Sequence, residues 1–490
     1  MSLSSALLTA QSSLSATSKQ TALISKNIAG ASDPNYVKRT ASLVSGAYGS
    51  VYVNVSRSAD EALLTRYIQT NSQSASSNIL TTGLNRLSSL YSADDYSGSP
   101  AALIGDLRDA LQTYAAQPGQ STTAGDTVVD KAVGLANALN EGTSQIQTLR
   151  ADADADIAAS VDSINDLLAK FEQVNSSIVN GTRSGADVSD FLDQRDSILK
   201  QLSGEIGITT MSRADNDMVI FAETGVTLFE KTARKVSFEP TVAFATGTSG
   251  NNVYVDGVPL SHSTFEQPYG TGRLSGLLQL RDQVAPDYQS QLDEIARSLV
   301  TLFSETDQTS SGLPAITGLF SYSGSPDVPA DGTLLPGIAG TIRISSAYIR
   351  SEGGSSELLR DGGGPDNDPA YVYNSENSAG FSDRLQQLIG SIGEPRSYDP
   401  AAGGGTNLSV IDYSSASTSW LEGKRQTASA NKDYNSTVSS RAEQALSNAS
   451  GVDINEEMAL LLQLEQSFQA SSRVLSTVGS MLDDLLAAVR

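Results

Sequence analysis

Three aspartates at alternate positions, Asp152, Asp154 and Asp156, are the residues whose type and spacing come nearest to a metal site in this chain. They imitate the opening of a calcium loop, which needs Gly at its sixth position and a chelating Glu at its twelfth. Here those positions hold Ile157 and Ser163, and carboxylates spaced i, i+2 and i+4 on a helix point in different directions. A solvated helical face is the better reading. Gly270-Thr271-Gly272 with Gly276 is not a dinucleotide fingerprint, and Gly362-Gly363-Gly364 lacks the Lys-Ser/Thr of a phosphate loop. The one histidine, His262, sits in a polar turn and reads as a surface residue, with no nucleophile marked near it. No cysteine is present, so disulfides, thiolate metal sites and Cys nucleophiles are excluded. The expectation is a protein that is not an enzyme and has no catalytic residue, cofactor or metal.

The organising residues are apolar and lie at the two ends. From Met458 the positions Met458, Leu461, Leu464, Phe468, Leu475, Val478, Leu482, Leu485 and Val489 recur at steps of three and four, with Ser471 in the one gap. That is a single helical stripe of about four heptads. Asp453 can cap it, with Glu456 three residues on as capping-box partner. Leu3, Leu7, Ala10, Leu14, Thr17, Thr21, Ile24 and Ile28 keep the same steps at the other end, until Pro34 forbids continuation. Each helix is the natural partner of the other. The N-terminal stripe carries few large aliphatics and two Thr, so full ordering is expected only against further copies in an assembly.

Between the ends, helices are expected from Ser58 to Tyr91, Pro100 to Ala116, Thr122 to about Val179, Asp187 to Gly204, Gly276 to about Thr306, Phe381 to Ile392 and Ser415 to Ala449. Val37 to Val55 alternates as a short hairpin segment. Short Val, Ile, Phe and Thr runs broken by Asp-Asn, Thr-Gly and Asp-Gly read as a small β domain of hairpins. Ser310 to Gly364 is rich in Gly, Pro and Ser and reads as loop-heavy, with one strand at Thr341 to Ser345. The fold class is therefore α + β and multidomain: an elongated helical bundle with terminal coiled-coil helices and a small inserted β domain. The expected domains are 1–32 with 452–490 (terminal coiled coil), 33–205 with 272–451 (helical rod, irregular over 310–413) and 206–271 (outward-facing β domain).

The 490 residues suffice for about three domains. A net charge of −23 argues against nucleic acid and acidic membranes as partners. The acid excess lies in the body, because up to Arg57 the chain carries Lys19, Lys26, Lys38, Arg39 and Arg57 against Asp33 alone. No apolar run is long enough to span a membrane, and the start lacks the pattern of a cleaved secretory signal.

The ends also carry motifs. Leu7 to Ala16, Ile24-Ser25-Lys26-Asn27-Ile28-Ala29 and Pro34-Asn35-Tyr36 with Lys38-Arg39 resemble the N-terminal signature of bacterial flagellar axial proteins. Ser450 to Met458, Phe468 to Val474 and Met481 to Leu486 resemble their C-terminal signature. Phe191-Leu192-Asp193-Gln194-Arg195-Asp196 and Gly276 to Asp282 are similar to stretches of the hook-associated members. The resemblance implies a structural subunit of a ring between flagellar hook and filament. It implies a further copy, the hook protein and the adjacent hook-associated protein as partners, and a chaperone on the C-terminal helix. It also implies type III export without a cleaved signal and residence in the flagellum. A rod, hook or filament subunit is the alternative; an enzyme or glycan binder would have to work through residues 206–260 alone.

Overall fold

The computed structural model describes residues 3–45, 51–91, 96–119, 122–261 and 269–488, and for 3–6, 482, 485 and 486 it describes the backbone alone. His262 and Val489 lie outside the described residues. The chain opens with α1 (Leu3–Gly30), the antiparallel hairpin β1 (Arg39–Ser45) and β2 (Val51–Arg57), then α2 (Glu61–Ser88), α3 (Pro100–Ala116), α4 (Thr122–Ser184) and α5 (Ser189–Glu205). Two three-stranded antiparallel sheets follow. One is β3 (Ile208–Ser212), β4 (Met218–Ala222) and β5 (Thr227–Phe229); the other is β6 (Val236–Ser237), β7 (Tyr254–Val255) and β8 (Val258–Pro259). Helix α6 (Arg273–Gln279) runs through a π turn at Leu280–Val284 into α7 (Ala285–Leu302). The irregular stretch contains β9 (Phe320–Ser321), β10 (Arg343–Ile344), α8 (Leu358–Asp361), α9 (Asp383–Gly393), β11 (Arg396–Ser397) and β12 (Asn407–Leu408). Helices α10 (Val410–Ser450) and α11 (Ile454–Ala488) close the chain.

These boundaries follow local chemistry. Ser99 caps α3 by accepting from the Ala102 amide at 3.3 Å, Pro100 opens it, and Pro118 bars its continuation. Asp60 accepts from the Ala62 and Leu63 amides, each at 3.0 Å, at the head of α2. Asp453 accepts from the Asn455 amide at 2.8 Å and the Glu456 amide at 3.4 Å, so it caps α11 as its position suggests. The apolar residues that recur at heptad-like steps along α4 are buried at Ile146, Leu149, Ala153, Ile157, Ile164, Leu167, Phe171 and Ile178, with Val174 half-buried and Ser160 buried in the remaining slot.

The chain divides into two compact units. The first comprises 1–74, 164–235 and 435–490; the second comprises 75–163 and 236–434. In the first, α5 and the sheet β3-β4-β5 pack with the end of α4, where Phe171 meets Phe229 edge-on at 4.9 Å and Glu172 accepts from the Ala233 amide at 2.7 Å. In the second, α7 runs through the core: Leu292, Ile295, Leu299 and Val300 are buried with Asp293, Glu294 and Arg297. These polar side chains explain how the loop-rich 310–413 stretch is ordered. Asp293 accepts from the Gly337 and Ala339 amides at 2.9 and 3.0 Å. Arg297 grips Glu294 with two 2.9 Å bonds and donates to the Ser397 carbonyl at 2.7 Å. Glu305 accepts from the Tyr348 hydroxyl at 2.6 Å and the Gly363 amide at 3.0 Å. Irregular backbone is thus satisfied by buried carboxylates on or next to α7.

Two sequence expectations change. The 206–271 stretch is not one β domain: β3-β4-β5 belongs to the first unit and β6-β7-β8 to the second. The second sheet is held there because Asp154 on α4 accepts from the Thr241 amide at 2.7 Å and from Arg281 at 2.5 Å, while Arg281 also donates to the Asn251 carbonyl at 2.7 Å. For the same reason Asp154 is not on a solvated face. It is 2% exposed, the anchor of a buried ion pair. Asp152 and Asp156 do face outward, pairing with Arg86 and Arg273, and no cluster fit to hold a metal ion occurs among the described residues.

Candidate functional site

Helices α1 and α11 pack along one another. Ala10, Ala16, Thr17, Ile24 and Asn27 are buried on α1, while Leu7, Leu14 and Ile28 are half-buried. On α11 Val478 is buried and Leu461, Leu464 and Leu475 are half-buried. Ser471, the gap in the apolar stripe, meets Ser13 with hydroxyl oxygens 3.5 Å apart, so small residues face each other where the stripe is interrupted. Met458 and Phe468, read from the sequence as stripe residues, stand outside this seam at 45% and 43% exposure. They join Leu462, Val474 and Met481 on α11 and Leu8 on α1 as large apolar side chains without cover in this chain. Leu3, Leu482 and Leu485 are helical in backbone. The apolar surface of α11 is wider than a single partner helix can cover.

At the root of this pair, polar side chains interlock. Asn27 donates to the Arg39 carbonyl at 2.9 Å and to Glu457 at 3.0 Å, and its oxygen accepts from the Tyr36 hydroxyl at 2.9 Å and the Arg39 amide at 3.1 Å. One 1%-exposed side chain thereby ties α1, the strand leaving it and α11. Lys38 donates to Glu456 at 2.5 Å and lies 3.5 Å from Glu457, while its amide donates to the Ser450 carbonyl at 2.7 Å. The other side of the root is α5. Its Asp190, Asp193 and Asp196 fall at i, i+3 and i+6, one helical face. Arg39 donates to Asp190 at 2.5 Å and Asp193 at 3.0 Å; Arg57 donates to Asp193 at 2.7 Å and Asp196 at 2.6 Å; Lys26 donates to Asp190 at 2.8 Å. Arg195, on the same helix and buried, donates to the Asn216 carbonyl at 2.5 Å and fixes the β3–β4 turn.

The electrostatics follow burial. Removal from water pushes the Asp193 carboxyl up, against the opposing pull of Arg57 and Arg39. Asp190, open to solvent, is held below the usual carboxylate range by the hydrogen bond from Lys26. Burial works against the Arg39 charge, but the bond to Asp190 and the surrounding carboxylates leave its pKa raised. The guanidinium also lies 4.9 Å from the Tyr36 ring centre. Gly30 lets this ring approach: a Cβ there would stand 2.6 Å from the ring.

The apolar stripes alone do not reveal this root. Its signal in the sequence is the run of basic residues before Arg57 set against three Asp spaced by three on α5. Lys26, Lys38, Arg39 and Arg57 are each bonded to a carboxylate here. The arrangement can hold helices at a fixed angle, which is a mechanical task.

The model described as the flagellar hook-associated protein FlgK helical domain matches residues 84–318. The model described as the flagellar basal body rod FlgEFG protein C-terminal matches residues 443–488, which include the whole of α11. Both models describe parts of bacterial flagellar axial proteins. Within that class its relatives are flagellar hook-associated protein 1, FlgK. The protein of that name from Escherichia coli K12 is 25% identical over 308 residues, 61% of this chain and 55% of the relative. That from Salmonella typhimurium is 26% identical over 286 residues, 57% and 51% of the two chains. That from Bacillus subtilis is 20% identical over 520 residues, 98% and 97% of the two chains. The chain thus matches about half the length of the E. coli and Salmonella relatives. The flagellar hook junction protein FlgK from Burkholderia pseudomallei superposes on 53% of this chain and 47% of its own, at 23% identity and a TM-score of 0.41.

Proposed function

We propose that this chain is a non-enzymatic subunit of the flagellar junction, joining hook to filament by assembling in a ring through its terminal helices. The observation that carries the proposal is the uncovered apolar face of α11, with Leu462 and Val474 more than half exposed, on a helix pair rooted by buried polar bonds. A face that wide calls for neighbours of the same kind. The terminal helices form the inner core of the ring, and their apolar residues, from Leu3, Leu7, Ala10, Leu14, Ile24 and Ile28 to Met458, Leu461, Leu464, Phe468, Leu475, Val478, Leu482, Leu485 and Val489, make the packing. The partners are further copies, the hook protein on one side and the adjacent hook-associated protein on the other. Before assembly a chaperone covers the C-terminal helix, and the chain leaves the cell by the flagellar type III route without a cleaved signal. The helical-domain match over 84–318 disfavours the alternative of a rod, hook or filament subunit.

The test is replacement of Leu462 and Phe468 by Glu in cells with no other copy. The expected result is a chain that is made and exported but not retained on hooks, with filament protein shed into the medium. Normal filaments with both charges in place would overturn the proposal.

A further inference from the structure

The β1–β2 hairpin is an apolar ribbon with nothing against much of it. Val44 is 51% exposed and Tyr52, its cross-strand partner and therefore on the same face, is 63% exposed; Leu43, on the other face, is 56% exposed. A two-stranded hairpin standing free in water is marginal, and this one offers an aromatic and a branched aliphatic side by side.

The same unit contains a cavity of about 510 Å³ between the head of α2, α5, the β3–β4 hairpin and the end of α10. Its apolar lining includes Ile68, Leu199, Met218 and Leu446, each under 10% exposed in the folded chain. Asp60 and Glu61 also line it, so a tyrosine side chain entering hydroxyl first would find acceptors for its hydroxyl and apolar walls for its ring. The volume lies in the range of sites that take aromatic groups.

The chain's own hairpin does not fill this cavity. Arg57, at the foot of β2, lines the cavity and is bonded to Asp193 and Asp196. Tyr52 lies five residues along the strand from that foot, about 17 Å away at roughly 3.4 Å per residue. Knob and hole thus occupy different places on one chain. A contact between two such places is head-to-tail, and repetition gives rings or helices instead of a closed pair.

We propose that Tyr52 and Val44 of one copy dock in the α2/α5/β3–β4 cavity of a second copy. This rests on the reading of the chain as a self-assembling axial subunit and names one surface by which it does so.

The chain has no cysteine, so an engineered pair reports the contact without background. Tyr52→Cys is combined with Met211→Cys, a cavity-lining residue that is 47% exposed, in cells carrying no other copy; flagella are then isolated and oxidised. A second set uses Val44→Cys in place of Tyr52→Cys, so that loss of the aromatic anchor cannot mask the contact. The expected result is a ladder of disulfide-linked dimers, trimers and larger species that collapses on reduction, with each single variant remaining monomeric. Chain recovered in flagella without a ladder from either set overturns the docking and leaves the junction reading standing. Dimers from Tyr52→Cys alone would mean a symmetric hairpin contact, which also overturns it. Absence of the chain from the flagella of motile cells overturns both.

Discussion

Arg39 and Arg297 are both buried guanidiniums held by carboxylates, yet their surroundings differ. Arg297 and Glu294 lie on one helix, both wholly enclosed, and Arg297 also reaches the half-exposed Asp331 and the Ser397 carbonyl, which secures irregular backbone around α7. Arg39 joins different elements, and one of its partners, Asp190, has a side chain 61% exposed. The second unit closes over its apolar side chains, as Leu292, Ile295 and Leu299 illustrate. The first fixes a firm root and leaves Leu8, Tyr52, Leu462 and Val474 uncovered beyond it. The difference separates a unit whose apolar core is closed from one that leaves large apolar side chains uncovered.

The comparison breaks most sharply at Arg297. Arg297→Ala strands the Glu294 carboxylate in the core, and loss of one partner of a buried pair costs about 3–5 kcal/mol. Denaturant unfolding followed through α7 is expected to register that loss, with α1 and α11 little changed. Asn27→Ala is the counterpart at the root. It removes bonds to Glu457, Tyr36 and both backbone groups of Arg39. With unsatisfied buried groups costing about 1–3 kcal/mol each, α1 and α11 are expected to exchange amide protons much faster while α7 is unaffected.

Acid response sharpens the contrast. Burial pushes the Asp293 carboxyl up to about 6, against the bonds it accepts from Gly337 and Ala339. The native state therefore holds this proton to higher pH than the unfolded chain, whose Asp titrates near about 3.9. The contribution is fully present below that value and declines as pH rises toward about 6, on the order of 3 kcal/mol in all. Comparing unfolding of Asp293→Asn with the native chain across that window should show the downward slope only with Asp293 present. Gly30→Ala is the smallest change. Its methyl meets the Tyr36 ring, and overpacking of this kind costs about 1–3 kcal/mol. A lowered Tm for the first unit, with Tyr36→Ala relieving part of it in the double variant, is the expected reading.

Much of the helical frame was legible because periodicity and caps agreed. Ser99-Pro100 and Pro118 bracket α3, and the long stripe from Ile146 to Ile178 is buried along α4. The facing of Ser471 by Ser13 also has its sign in the sequence, as a small residue in an otherwise apolar repeat. What stayed hidden depended on distant pairing. Nothing near Asp154 announces Arg281, and nothing in residues 206–260 indicates that its second half is pinned to that pair and leaves the first sheet. The root was half visible: Lys26, Arg39 and Arg57 stood out among the basic residues of the first stretch, but their acceptors lie more than 130 residues away on α5. Apart from α9, which the Phe381 to Ile392 pattern shows, the order in 310–413 was not readable because buried carboxylates on or beside α7 impose it instead of local propensity.

The central claim is that the terminal helices are rooted but incomplete in the single chain. Hydrogen exchange on the purified monomer tests it most directly, following amides of α1, α11 and α7 together. The account expects slow exchange through α7, intermediate protection near Asn27 and Glu457, and rapid exchange toward the far ends of α1 and α11. Protection of both terminal helices equal to that of α7 along their whole length would contradict it, because the pair would then be complete without neighbours.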